Sequence, residues 1–384
     1  MILDQYYAIY FLGYAEEVSM KKILFYINAL NGGGAERVMA NLSSQFADNG
    51  YDVLFVTSYP TDGEYELNIK IKRLNLERKN YPCSRIKRNI IRIIRLRQIC
   101  KIEKPDVLVA FMAEPNFRAI IATIGLKTKT VISVRNDPEK EYAGRLMNFV
   151  GKHILPMADG CVFQTEDAKE WFPKKLQQKS TIIFNAVKND FFEATRKPVD
   201  GLVVTCGRLE EQKNQKLLIK AFSEVVKKIP NARLQIYGEG SLKIKLQELI
   251  DNFGLHNYVK LMGQTSDVVS ALETADIFVL PSLYEGMPNA LMEAMAAGVP
   301  CISTDCPCGG SRMLLNEKNG ILISNNNLDE LIDTLEKLLI DDNRKQTISN
   351  RCRQTVKKFK AADIYLKWKD YIEKVVLDEK IKNR

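Results

Sequence analysis

The sequence predicts an α/β protein of two Rossmann-like, doubly wound parallel-sheet domains facing a cleft. Three observations predict it. Short runs rich in Val, Ile, Leu and Phe alternate with helical stretches, the pattern of strands covered by crossover helices on both faces. The alternation runs through the first half, pauses at a polar stretch and begins again, and 384 residues exceed one ordinary core. Glycine-rich or charged turns follow several strands, where open parallel sheets bind ligands.

In the first half, strands are expected at Lys22–Asn28, Asp52–Tyr59, Asp106–Met112, Thr130–Arg135 and Gly160–Gln164, with a short one at Ile182–Asn185. A helix over Ala35–Asp48 carries Val38, Leu42 and Phe46 on one face. The polar stretch Ala186–Asp200 reads as a link between domains. The second half offers strands at Leu202–Cys206, Arg233–Tyr237, Val259–Met262, Ile277–Pro281 and Pro300–Ser303, with Ile321–Ile323 at an edge. Helices fall at Asn214–Ile229, Ser241–Asn252, Asp267–Thr274 and Asn289–Ala297, the last stopped by Gly298 and Pro300. The division is then an extension (1–19), an N-terminal domain (20–188), a linker (189–200), a C-terminal domain (201–360) and a C-terminal helix (361–384) that packs back on the N-terminal domain.

Composition excludes several classes. Hydrophobic residues make up 46% and charged residues 27%, a soluble globular balance with no run long enough to span a membrane. Residues 1–19 lack a basic leading region, against a secretory signal. The eight cysteines show no zinc spacing and read as reduced thiols of a cytosolic protein. Net charge is +9, and Ser84–Lys104 alone holds eight Lys or Arg against one Glu. Arg85, Arg88, Arg92 and Arg95 recur at helical spacing, with Ile86, Ile90, Ile93, Ile94 and Cys100 roughly opposite and Arg97 and Lys101 intruding on that apolar face. This segment is either a domain helix with a solvated charged side or a surface that meets anionic lipid. Nucleic acid fits poorly, because no aromatic residues are interleaved for base stacking.

The chemistry-bearing stretch is Pro281–Pro300. A loop carries Glu285, and a buried helix entered through Gly286, Pro288 and Asn289 carries Glu293. Upstream, Arg208 and Lys213 follow the first strand of the second half, placed to neutralise a diphosphate, although either alone would pass for surface charge. In the first half, Gly32, Gly33 and Gly34 open the first helix. On these residues alone they form either a strand-to-helix turn or a loop that lets backbone approach an anion.

Taken in order, Gly33-Gly34-Ala-Glu-Arg37, Gly207-Arg208, Lys213-Asn214, Tyr237-Gly238, Gly263 and Glu285-Gly-Met-Pro-Asn-Ala-Leu-Met-Glu293 resemble the retaining glycosyltransferases of family four, over roughly Lys21–Asp370. The resemblance implies the GT-B fold and transfer of a hexose or N-acetylhexosamine from a nucleotide sugar, taken as a UDP-sugar. The acceptor would be a glycan or polyprenyl-linked glycan of surface polysaccharide synthesis, at the inner membrane face. It casts Arg208 and Lys213 as diphosphate clamps, Glu285 as the carboxylate facing the donor sugar and Glu293 as the ribose ligand. Gly286, Pro288, Asn289, Ala290 and Leu291 would line phosphate and sugar, Gly238 and Gly263 the nucleobase, and Gly33 and Gly34 would approach the donor from the other domain. No cofactor and no metal are expected, since the chain has no Asp-x-Asp.

Eight residues of helix would separate Glu285 and Glu293 by roughly 12 Å, against the ~5 Å of a retaining hydrolase's carboxylate pair. They read as two recognition groups. Same-face, substrate-assisted displacement is the expected mechanism. Many family members place a His at a strand end near the reacting sugar; here the stretch reads Val131-Ile-Ser-Val-Arg-Asn-Asp-Pro138, so Arg135 and Asn136, with Asn116, are the acceptor-side candidates. His153 and His256 are taken as structural or surface residues. Two rivals remain: a sugar-nucleotide 2-epimerase, and a non-catalytic, membrane-bound glycan-binding subunit.

Overall fold

The computed structural model describes residues 21–78 and 84–382, so the expectations for residues 1–19 and Cys83 lie outside it. The chain folds as two compact units. One runs up to Phe163 and includes Lys169–Ile183 and the chain from Tyr365 onward; the other comprises Gln164–Ala168 and Phe184–Ile364.

The first unit holds a seven-stranded, wholly parallel sheet in the order β3-β2-β1-β4-β5-β6-β7. Its strands are β1 (Lys22–Ile27), β2 (Asp52–Thr57), β3 (Lys72–Asn75), β4 (Val107–Phe111), β5 (Lys129–Ser133), β6 (Gly160–Phe163) and β7 (Ser180–Ile182). Every residue of β4 is buried, and β1, β2 and β5 are buried beyond their first residue, which is why they read as unbroken apolar runs. The edge strand β3, Lys-Arg-Leu-Asn, carries no such run and was not anticipated. Ser180–Ile182 pairs with β6, earlier than the expected Ile182–Asn185. Helices α1 (Gly34–Asp48), α2 (Arg85–Glu103) and α3 (Ala113–Thr123) belong to this unit.

The basic helix α2 follows the sequence expectation only in part: Cys100 is in the core with Ile93 packed against it, but arginines of the expected charged side also face inward. Arg92 is buried and ion-paired to buried Glu77 at 2.8 Å, with its guanidinium 5.3 Å from the Tyr59 ring. Arg95 donates to the Leu76 carbonyl. Ile86, Ile90 and Ile94 instead point outward, 76%, 53% and 51% exposed. The physical reason lies in the chain leaving β3. A buried carboxylate and a strand-end carbonyl there need cationic donors more than the helix needs its isoleucines covered.

The second unit holds six parallel strands in the order β10-β9-β8-β11-β12-β13. They are β8 (Leu202–Cys206), β9 (Arg233–Tyr237), β10 (Val259–Gly263), β11 (Ile277–Leu280), β12 (Cys301–Asp305) and β13 (Ile321–Ser324). Around them lie α4 (Gln215–Lys228), α5 (Asn289–Ala296) and α6 (Asp342–Val356). In each sheet the strand order reverses at one place, between β1 and β4 and between β8 and β11, and such switch points are where doubly wound sheets bind ligands.

The stretch read as a linker is strapped to the second unit. Thr195 donates its amide to Glu273 Oε1 at 2.7 Å, and Lys197 and Val199 donate backbone amides to the Glu273 and Thr274 carbonyls. Arg196 donates to the carbonyls of Gly298 at 3.0 Å and Ala275 at 2.6 Å. The final helix α7 (Ala361–Lys382) joins the first unit from Tyr365 onward. Fully buried Trp368 packs 5.5 Å from the Phe111 ring, and the Tyr371 hydroxyl bonds the backbone of Cys161 and Lys179. His153 stacks on Phe149 at 4.7 Å and exposed His256 sits 3.2 Å from Asp251, as suits structural and surface residues.

Candidate functional site

In the second unit, the chain segments leaving β8 and β11 bracket the switch point, and the sequence motifs sit on them. Gly207, just past β8, donates its amide to the Tyr237 carbonyl, and Gly238 donates to the Gly263 carbonyl, so three adjacent strand ends are tied together. Gly238 has φ +144° and a Cβ there would lie 1.9 Å from the Gly207 carbonyl oxygen; only glycine fits. The short turn Glu211–Lys213 then lays the Lys213 stem over Gly207.

Lys213 Nζ meets Glu285 Oε1 at 2.5 Å, and the Ser282 hydroxyl donates to the same oxygen at 2.7 Å. Glu285 is 5% exposed. The loop around it is held from several sides. Gln212 donates through its side chain to the Tyr284 carbonyl and accepts the Leu283 amide, while the Thr304 hydroxyl reaches the Ser282 carbonyl at 2.5 Å. Gly310 permits another close approach, since a Cβ on it would stand 1.8 Å from the Gly286 carbonyl oxygen.

Arg208 behaves differently. Its side chain is mostly exposed and pairs with Glu210 at 3.1 Å, so it is not gathered with Lys213 and Glu285. Glu293 is buried on α5 and lies beside Cys206 at the end of β8, adding to the burial that pushes the Cys206 thiol up to about 12. Pro288 stands at the N-cap of α5 and Asn289 is its first residue. Asn289 and Ala290 are half-buried while Leu291 is fully buried, and the amides of this first turn have no intrahelical acceptors.

A chain of side-chain hydrogen bonds missed in the sequence fixes this entrance. Gln164 Nε2 donates to Asn185 Oδ1 at 2.7 Å, Asn185 Nδ2 donates to Asn289 Oδ1 at 2.5 Å, and Gln164 Oε1 accepts the Met287 amide at 3.4 Å. Gln164 ends an apolar run ahead of Thr165-Glu166-Asp167 and Asn185 stands between Phe184 and Ala186, and nothing in their spacing announces them.

In the first unit, Gly33 is the N-cap of α1 and Gly34 its first residue. The Glu36 carboxylate folds back onto Gly33, where a Cβ would meet it at 1.8 Å, so the chain supplies its own anion at this helix start. Asn116, on α3, is fully buried and donates to the Ser133 carbonyl at 2.8 Å; it braces β5 rather than lining a surface. Arg135 is 7% exposed and lies 4.5 Å above the Phe111 ring. Burial lowers its pKa to about 9, opposed by the carboxylates of Glu141 and Glu36. Glu141 accepts the Ala113 amide at the start of α3 at 3.0 Å, and burial pushes its carboxyl up to about 7. Asn136, half-buried, separates Arg135 from the Asp137 cap in the chain. Glu141 was not foreseen from the sequence, being one acid in a charged Glu-Lys-Glu run. Among the described residues no cluster of three His, Cys, Asp or Glu is placed to hold a metal ion.

Comparison with known proteins covers both units. Residues 187–355 match the family described as Glycosyl transferases group 1, and residues 32–191 match Glycosyltransferase Family 4. An uncharacterized glycosyltransferase of Methanocaldococcus jannaschii is 31% identical over 302 residues, covering 71% of this chain and 73% of that protein. A Campylobacter jejuni enzyme, named as an α-1,4-N-acetyl-D-galactosaminyltransferase acting on a diphospho-undecaprenol-linked glycan, is 26% identical over 361 residues, covering 93% and 99%. Among solved structures, the sucrose-phosphate synthase of Thermosynechococcus elongatus superposes with a TM-score of 0.80 at 16% identity over 93% of this chain and 100% of its own. Anabaena HepE in complex with UDP-glucose gives 0.76 at 17% over 92% and 99%; at these identities both show the fold.

Proposed function

This chain belongs to the glycosyltransferases of group 1 and family 4, and from that premise we propose that it transfers a hexose or N-acetylhexosamine from a nucleotide sugar, a UDP-sugar, to a lipid-linked glycan in surface polysaccharide assembly. The observation that carries the proposal is the cluster at the β8/β11 switch point: Lys213 paired with Glu285, the Lys213 stem over Gly207, Glu293 beside the end of β8, and the first turn of α5, whose amides have no intrahelical acceptors. The names of the Campylobacter enzymes, both acting on diphospho-undecaprenol-linked glycans, support the acceptor class.

In this reading Lys213 and the α5 amides take the donor diphosphate, Arg208 closes over it from solvent, Glu293 takes the ribose and Glu285 the sugar. Gly286, Pro288, Asn289, Ala290 and Leu291 shape that pocket, and Gly238 and Gly263 border the base. The acceptor oxygen bonds to the anomeric carbon on the face the diphosphate leaves. As the bond from that carbon to the phosphate oxygen breaks, the acceptor proton passes to the departing oxygen. No protein nucleophile enters. Within the first unit, Arg135 and Asn136 are the acceptor-side candidates of this reading, and Gly33 and Gly34 its candidates at the start of α1. The enzyme works at an anionic membrane surface, where such an acceptor resides.

The test is incubation of the purified protein with a panel of UDP- and GDP-sugars and a membrane lipid extract. Acceptor-dependent release of nucleoside diphosphate, with sugar appearing in the lipid fraction, is the expected result. Folded protein that releases none with any donor would overturn the proposal. Release without acceptor, with a free epimerised sugar, would instead identify the epimerase.

A further inference from the structure

In the first unit, the chain leaving β5 and the chain leaving β6 enclose a depression of about 520 Å³. That volume lies within the ~300–1,000 Å³ of small-molecule sites. Tyr142 and Trp171 give it an aromatic side, and Glu139, Arg145 and Asn148 a polar rim. The aromatic side is built up from the strand end. Phe163 closes β6 and packs 5.2 Å from Phe172, which Tyr142 and Trp171 meet edge-on at 5.5 Å and 4.7 Å. Tyr142 is fully buried and Trp171 half-buried.

A π-helical turn, Val150–Ile154, holds the Trp171 ring in place. Gly151 lies so close that a Cβ on it would stand 2.9 Å from Trp171 Cζ3. Lys152 donates to the Trp171 carbonyl and sets its ammonium 3.6 Å from the ring centroid. Lys152 does not line the depression, so the cation covers a side of the ring turned away from it. Such turns are rare and recur at functional sites. A ring fixed in this way loses little freedom when a ligand packs on it.

The rim selects the ligand. Glu139, Arg145 and Asn148 are exposed, and the charges of the first two cancel. A phosphate gains nothing from Arg145 that Glu139 does not oppose, and an acyl chain would leave all three polar groups without partners. A sugar ring meets both sides, with a C–H face for the aromatic ring and hydroxyls that donate and accept. We propose that this depression is a glycan subsite, in which a sugar ring packs on Trp171 while its hydroxyls bond to Glu139, Arg145 and Asn148. This deepens the acceptor reading of the proposed function and rests on it. The sugars held here are those of the acceptor behind the one being extended, since the same segment leaving β5 carries Arg135 and Asn136.

The chain has two tryptophans, and Trp368 is fully buried, so an emission change on adding sugar reports Trp171. The experiment titrates the full chain, by fluorescence, with methyl α-glycosides of glucose, galactose, N-acetylglucosamine and N-acetylgalactosamine, and with maltose and N,N′-diacetylchitobiose. At least one should shift the emission saturably, and saturating UDP should leave its Kd unchanged. Arg145→Ala with Asn148→Ala should raise that Kd on the order of tenfold or more, with circular dichroism as in the wild type because both positions are exposed. Trp171→Phe should abolish the emission change. No response to any glycan, a response that survives Trp171→Phe, competition by UDP, or an equal Kd in the Arg145→Ala/Asn148→Ala variant would each overturn the subsite. Transfer to the membrane lipid extract separates this from the enzyme reading. The variant should raise the acceptor KM by a similar factor with the donor KM unchanged, and an unchanged acceptor KM in an active variant would count against the subsite alone. Glycan binding by wild-type protein that releases no nucleoside diphosphate would count against the enzyme alone.

Discussion

Lys213 and Glu285 are the residues on which the donor chemistry turns. The lysine's charge is directed at a buried carboxylate that a serine also serves. A diphosphate would compete for it with two charges and shift the lysine's bonding toward the leaving group as negative charge develops there. Lys213→Ala should lower kcat/KM by about 10²–10³-fold, by analogy with removing one stabilising donor from a developing oxyanion, and steady-state assays with saturating acceptor would measure it. Glu141 offers a test of a different kind. Its carboxyl titrates at about 7 in the fold against 4.5 ordinarily, so the folded chain holds the proton more tightly than the unfolded one. Stability present at low pH should therefore decline as pH rises from about 4.5 to about 7 and level off above that. The charges around it are Arg135, which favours ionisation, and Asp137, which opposes it. Glu141→Gln should flatten this part of the stability–pH curve in urea titrations, and an unchanged slope would contradict the assignment.

At the scale of elements, the polar strap from Asn189 to Asp200 contributes more than connection. Arg196 sends two guanidinium nitrogens to carbonyls just past α5 and just before β11, the two segments that flank the Glu285–Glu293 stretch. Burial lowers its pKa, yet the four carbonyl and hydroxyl acceptors around it hold the charged group in place. Arg196→Met keeps the stem and removes those charge-assisted bonds, leaving carbonyls unsatisfied. It should cost about 1–3 kcal/mol in chemical denaturation of the second unit. Polar composition makes the strap read as a linker in the sequence, and composition does not reveal which carbonyls a distant arginine will find.

At the scale of the molecule, the last helix returns its aromatic side to the first unit. Trp368 against Phe111, Tyr365 edge-on to Phe46 at 5.0 Å and Tyr371 on the β6 backbone make it part of that unit's core rather than a tail. Trp368→Ala should destabilise the first unit by about 3–5 kcal/mol, seen as an earlier unfolding transition for probes there than for probes in the second unit. Truncation before α7 should do at least as much.

The amino-acid sequence by itself determined the class of the molecule and the donor motif. Parallel strands buried on both faces must be apolar throughout, so β1, β2, β4, β8 and β11 were legible as runs, and Glu285, Gly286 and Glu293 stand together because one loop and one helix carry them. Only the tertiary structure decided the rest. It turned α2 so that Arg92 faces Glu77 and the isoleucines face out, because a buried carboxylate on another element outranked the helix's own amphipathic pattern. It joined Gln164, Asn185 and Asn289, which are far apart in sequence, and it left Arg208 in solvent while drawing Lys213 inward. Partners that meet across separations from 15 to 104 residues leave no local period to read.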